Sequence, residues 1–272
     1  MPASSPSAPP LDVGAALRDG WAAFQRAPWV FIGFTLLVSA LGLSLSALEL
    51  ALTPAPGDLP ALPSPARVLC QLASLALSLW AVVGLVRGAW IALEGHRPRF
   101  GELLRWDGPA IVRVLLATLL LSLILTVVAL PLLGLMAVAL AQMVQIDFPL
   151  GGSPILRGLS PSPGGILLFV LAWLTLLAVL LYAQVNQHFL VQLASLRGRG
   201  AVGTLAEGRA VVDRHWWPVL GLVALESVLI LAGILALVVG LFVAVPVVAC
   251  VSTAAYRQLF GPAGPAGELP SA

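Results

Sequence analysis

The chain has 272 residues, 60% of them hydrophobic and only 10% charged, with 14 Lys plus Arg, 12 Asp plus Glu and a formal net charge of +2. A soluble domain carries about 25% charged residues, and one of this size has too little surface to hide so much apolar side chain, so the excess must face lipid. That excludes soluble Rossmann, barrel and sandwich enzymes, disordered tails and disulfide-rich secreted modules, the last because Cys70 and Cys250 both lie inside apolar runs. Every basic residue is Arg and none joins a polybasic segment, so no nucleic-acid partner is expected.

Residues 1–10 form a disordered tail in this reading. They carry no positive charge, and the apolar run that follows exceeds the roughly 7–15 residues of a cleavable core, so no secretory signal is expected. From Leu11 to Arg26, Leu17, Trp21 and Phe24 share one helical face while Arg18, Asp19, Gln25 and Arg26 fall mostly elsewhere. That pattern suits a helix lying in the membrane interface.

A helix needs about 20 apolar residues to cross roughly 30 Å of hydrocarbon. On that criterion the spans fall at about 29–52, 68–93, 112–146, 166–196, 218–238 and 241–259, within one helical domain over 11–260 and before a disordered tail over 261–272. The run from Pro218 to Tyr256 would be about 58 Å as one helix, so it divides near Gly240. Pro131 sits in the middle of the third tract, read as one kinked or tilted span. The expected fold class is therefore all-α: a polytopic transmembrane bundle of about six spans with amphipathic interfacial helices.

Six spans put Arg18, Arg26, Arg97, Arg99, Arg105, Arg113, Arg197, Arg199, Arg209, Arg214 and Arg257 on one side, with only Arg67 and Arg157 on the other. The positive-inside rule makes the rich side cytoplasmic and places both termini there. Trp21, Trp29, Trp90, Trp106, Trp216 and Trp217 fall near the same ends, where amphipathic rings favour the interface, whereas Trp80 and Trp173 do not fit such a belt. The connectors on the opposite side, Thr53–Ala66 and Asp147–Gly165, are short, rich in Pro and Gly, and too small for an extracytoplasmic domain. A shorter interfacial piece is expected around Phe100, Leu103, Leu104 and Trp106.

The chain echoes itself at an offset of 188. Leu17, Gly20, Ala22, Arg26, Trp29 and Gly33 recur as Leu205, Gly208, Ala210, Arg214, Trp217 and Gly221. Arg and Trp are rare enough here to favour a duplicated unit over compositional coincidence, and both copies enter the membrane from the same side.

The run Gly84, Arg87, Gly88, then Gly95, Arg97, Pro98, Phe100, Gly101 and Leu103, resembles a signature of uncharacterised bacterial polytopic integral membrane proteins. That family includes relatives of the membrane domain fused to some glycerophosphodiester phosphodiesterases. The segment Asp213–Pro218 and the ending Tyr256–Gly261 are similar to the group's last two spans. The resemblance implies a six-helix architecture in a bacterial cytoplasmic membrane and carries over no catalytic residue. The soluble phosphodiesterase domain of the fused relatives has no counterpart in these residues, so its activity is not expected of them.

Gly198–Gly203 matches GxGxxG, but a dinucleotide site needs that loop to leave a parallel strand, and here it leaves a span. It is read as a turn. No HExxH, GxSxG, Walker loop or CxxC occurs, so no catalytic residue, cofactor or metal site is expected. Ionisable groups at membrane depth are more informative, because each is costly there unless paired, snorkelled or hydrated. Glu226 lies about 13 Å in from Trp217, Arg87 about 10 Å in from Glu94, and His188 about 13 Å in from Arg197. On a continuous helix Gln184, His188 and Gln192 share a face, with Asn186 nearby.

The expectation is a buried polar layer of Arg87, Glu226, His188, Asn186 and Gln184, in which Glu226 pairs with Arg87 and is braced by His188. The Gly84–Gly88 GxxxG step would bring the helices close. Such a layer serves either as interhelical glue in a non-enzymatic structural or interaction protein, or as the path of a small transporter. The partners expected are the lipid bilayer and, through its apolar faces, a second copy of the chain or another membrane protein.

Overall fold

A computed structural model describes residues 11–53, 64–147, 155–159, 162–236 and 239–261. The tails expected at 1–10 and beyond Gly261 lie outside these residues. Six helical stretches are long and apolar enough to cross a membrane, and the class is all-α and polytopic, as expected.

The helices begin where local chemistry tells them to. Interfacial helix α1 (Val13–Arg26) is N-capped by Asp12, whose carboxylate accepts from the Ala15 N–H at 2.9 Å, and α2 (Pro28–Ala51) opens on a proline. Ser64 caps α3 (Pro65–Leu93), and Asp107 caps α5 (Gly108–Ala141) after the short α4 (Phe100–Leu104). Ser162 caps α6 (Pro163–Asn186). At α3, α5 and α6 an oxygen side chain takes a free N–H of the first turn and a proline at the first or second helical position removes another, whereas α1 has only the Asp12 cap and α2 only its proline. Pro131 lies inside α5 without ending it.

Two local differences from the expected spans appear. Helix α5 ends at Ala141 rather than near 146, and β1 (Val144–Asp147), which takes the last residues of the expected span, pairs antiparallel with β2 (Ile155–Leu159) of the expected connector as a two-stranded ribbon. The span expected over 166–196 is broken: α6 stops at Asn186, and α7 (Leu190–Leu196) starts after a tight turn. Across it the His188 N–H reaches the Val185 carbonyl at 3.4 Å and the Leu190 N–H the Gln187 carbonyl at 3.0 Å, both i−3 contacts. Neither Pro nor Gly occurs there, so the interruption rests on tertiary partners that local sequence does not announce.

Helix α8 (Ala201–Val212) continues through a 3₁₀ turn at Asp213–His215 into α9 (Trp216–Leu235), and α10 (Leu241–Phe260) closes the chain. The offset of 188 carries α1 onto α8 with the first residues of that turn, and the start of α2 onto the start of α9. The short helices repeat one arrangement at the arginine-rich end. Helix α1 packs on α10 with Gly20 against Val251, α4 lays the Leu103 carbonyl over Gly84 of α3, and α8 sets Gly208 beside the Asn186 carbonyl.

Over half of α10 is buried, against about a tenth of the most apolar windows of α5 and the α6–α7 stretch, so α10 is the hub and those two are peripheral. The core gathers at the arginine-rich end around Phe31, Phe34, Leu103, Phe189 and Tyr256. Outward leucines such as Leu43, Leu123 and Leu167 are exposed, as a lipid-facing surface requires. Trp29, Trp106 and Trp217 are strongly exposed and fit an interfacial belt, but Trp90 is 2% exposed and belongs to the core.

Candidate polar site at the helix break

Arg87 does not pair with Glu226. Its guanidinium lies 2.5 Å from Oδ2 of Asp107 and donates to the Arg105 carbonyl at 2.9 Å, while the other carboxylate oxygen of Asp107 caps α5. Arg87 therefore ties α3 to the α4–α5 junction. The Gly84–Gly88 step is used, but by a different neighbour from the one expected: a Cβ on Gly84 would fall 2.6 Å from the Leu103 carbonyl, and one on Gly88 would fall 2.9 Å from the Leu103 side chain. A local acid twenty residues downstream satisfies Arg87 near the membrane edge, so it never needs to reach across the bundle.

Glu226 instead meets His188 at the helix break. One carboxylate oxygen lies 3.2 Å from His188 Nε2, and the two side chains are only 9% and 10% exposed. Ser252 Oγ on α10 sits 3.4 Å from the same Nε2 and accepts from the Gln192 amide at 2.8 Å. The chain Glu226, His188, Ser252, Gln192 thus joins α9, the break, α10 and α7. The ring of Phe189 packs against the stacked Tyr256 and Phe260 at 6.4 and 5.7 Å, which holds the turn in place.

The two contacts on one imidazole nitrogen limit the chemistry. A serine–histidine–acid relay needs the acid on one ring nitrogen and the hydroxyl on the other. Here Glu226 and the Ser252 hydroxyl both face Nε2, so the geometry is not that of such a relay. Among the described residues, no three His, Cys, Asp or Glu side chains converge as a metal site.

Asn186 is 2% exposed, and both its amide atoms lack a protein partner, as do Glu226 Oε1 and Gln192 Oε1. Gln184, expected in the layer, is exposed on the outside of α6, because the break removes the common face it would share with His188 and Gln192. Ser252 was missed by sequence reasoning. The signal was present in the pair Ser252 and Thr253, which interrupts an apolar helix.

A second ionic cluster fastens the arginine-rich end. Arg197 meets both Glu207 and the Phe260 carbonyl, and Arg199 lies 2.9 Å from Glu207. Gly198, at φ +66, and Gly200, the N-cap of α8, make the GxGxxG segment a turn that delivers these arginines.

Fold and site together define a polytopic membrane-helix protein with a buried, interhelical polar cluster. Residues 11–269 match the family model described as "Domain of unknown function (DUF7847)", and the chain belongs to that family. No curated protein and no solved structure matches the chain.

Proposed function

We propose that this is a non-enzymatic structural or interaction protein of the bacterial cytoplasmic membrane, with both termini on the cytoplasmic side. The observation that carries the reading is the Glu226–His188 contact at 3.2 Å, with each side chain about nine-tenths buried. Together with Ser252 and Gln192 it links three parts of the bundle, which is the work of interhelical glue. The arginine asymmetry supports the orientation. The motifs at 84–103 and 213–218 support kinship with the membrane domain of fused glycerophosphodiester phosphodiesterases.

The test is a double-mutant series on the full chain in detergent. If the pair is glue, Glu226→Leu and His188→Leu each lower the thermal midpoint, because each leaves a buried polar partner, and the double variant recovers most of the loss. Additive losses would overturn the reading.

A transporter is the alternative, and one observation favours it: the unpartnered Asn186 amide beside a broken helix, an arrangement transporters use at their binding sites. Its test is labelling of Asn186→Cys, in a Cys70→Ala and Cys250→Ala background, by a membrane-impermeant thiol reagent. Labelling in intact membranes supports a water path, and protection argues for a closed core.

A further inference from the structure

Arg26 and Arg257 face one cleft at the arginine-rich end, and neither makes an ion pair among the described residues. Other arginines of this end behave differently: Arg87, Arg197 and Arg209 each have a carboxylate. The cleft has a volume of about 500 Å³ and runs between α1 and α10, with Leu93 at the end of α3 as its wall. Asp19, Ala22 and Arg26 line it from α1 at i, i+3 and i+7, which is one helical face. Ala254, Arg257 and Gln258 line it from α10 at i, i+3 and i+4.

The charged groups are held rather than loose. The Arg257 guanidinium lies over the Trp90 ring at 5.2 Å, a cation–π contact that covers its flat face and leaves its N–H edge to donate. Arg26 gives one N–H to the Ala92 carbonyl and keeps the rest of its fork. Gln258 accepts from the Asp12 N–H through Oε1 at 3.0 Å, so its amide nitrogen remains a donor. Asp19, two turns before Arg26, also has no ion pair among the described residues.

We propose that this cleft binds a phosphodiester that carries a primary amine, as in the headgroup of an ethanolamine phospholipid. The phosphate would lie between Arg26 and Arg257, with Gln258 donating, and the ammonium would lie against Asp19. Two guanidiniums without acids call for an anion of phosphate geometry. The carboxylate on the same helical face would repel a bare phosphate, so the ligand must bring a cation of its own. The location agrees with a lipid source. Trp21, beside Ala22 in the chain, and Trp29, three residues after Arg26, are 45% and 82% exposed, and such rings mark headgroup depth.

The experiment uses the full-length protein in detergent micelles, with added phosphatidylethanolamine, phosphatidylglycerol or phosphatidylcholine, or with soluble glycerophosphoethanolamine or inorganic phosphate. Binding is read by native mass spectrometry and by the thermal midpoint. Phosphatidylethanolamine is expected to bind best, with Arg257→Gln weakening it about tenfold. Asp19→Asn, at an exposed residue, should keep phosphatidylglycerol binding while erasing the preference for the amine lipid. Equal competition by glycerophosphoethanolamine would support the site with a soluble source, and failure to compete supports a lipid source. Equal binding of all three lipids, a preference for phosphatidylglycerol or phosphatidylcholine, or binding of inorganic phosphate alone overturns the proposal. So does ethanolamine-lipid binding that survives both substitutions. If Arg257→Gln does not fold, the change in lipid preference on Asp19→Asn decides the question.

Discussion

Glu226 of α9 meets His188 at 3.2 Å at the one point where the fourth membrane stretch loses its helical ladder. The two features explain each other. A histidine in an unbroken helix would follow the α6 surface outward with Gln184, whereas the turn at Gln187–Phe189 swings His188 and Gln192 toward α10. The break leaves backbone groups without ladder partners, and it persists because Phe189, packed at 0% exposure, and the Glu226 contact over-determine it.

This arrangement ranks three substitutions. Glu226→Gln keeps the volume but replaces the carboxylate that meets His188, and disrupting this buried contact should cost about 2–3 kcal/mol. Ser252→Ala removes a neutral relay and should cost about 1 kcal/mol, the net worth of one ordinary hydrogen bond, plus the exposure of the Gln192 amide. Gln184→Ala, at an exposed position, should change stability by less than about 0.5 kcal/mol. Thermal midpoints of the three purified variants check the order, and a Gln184 effect as large as that of Glu226 would contradict it.

The helices were legible because their signals are local: apolar runs of spanning length, Asp or Ser caps beside prolines, and an amphipathic stretch before the first span. The interfacial helices could be read for the same reason. Two members of the candidate site, Glu226 and His188, were legible from depth alone. Arg87 was misassigned because depth says nothing about azimuth, and the nearer acid, Asp107, lay in a connector. Gln184 failed for a different reason, since helical periodicity was extended through a break that no residue type marks. The ribbon of β1 and β2 escaped notice because β1 continues the apolar run of the third span and β2 is too short to carry a periodic pattern.

Gly20 is expected to tolerate no side chain. A Cβ there would fall 2.5 Å from the Val251 Cα, which is backbone and cannot swing aside, so Gly20→Ala must push α1 off α10. Overpacking of this kind costs about 1–3 kcal/mol. Gly42 on α2 has nothing within 4 Å of the same position, and Gly42→Ala should be neutral or stabilise by up to about 1 kcal/mol through helix propensity. Thermal midpoints of the two variants in the same detergent test the contrast, and a neutral Gly20→Ala would mean that α1 does not dock on α10 as described.

Arg87 and Asp107 should be energetically coupled, and Arg87 and Glu226 should not. The first pair lies at 2.5 Å, with side chains 17% and 31% exposed, so solvent screens it in part and the coupling should be about 1 kcal/mol. In a double-mutant cycle, Arg87→Gln with Asp107→Asn should cost less than the sum of the single changes. Arg87→Gln with Glu226→Gln should be additive within about 0.5 kcal/mol, as for residues with no shared partner. Coupling in the second cycle would restore the pairing expected from depth and count against the placement of α3 relative to α9.

The proposed orientation rests on charge and is open to a direct check. The arginine-rich end carries α1, α4 and α8, while Arg67, 3.8 Å from Glu49, is paired at the other end of the α2–α3 hairpin. Moving the rich end across the membrane would translocate several guanidiniums in short segments, which the insertion machinery disfavours. In a bacterial host, alkaline phosphatase fused after Phe260 is therefore expected to be inactive, and green fluorescent protein at the same point is expected to fluoresce. Phosphatase inserted after Thr53, where α2 has ended, should be active. The reverse pattern would place the amine-phosphodiester cleft on the outer face, where a cytoplasmic ligand could not reach it, and would leave the lipid of that leaflet as its source.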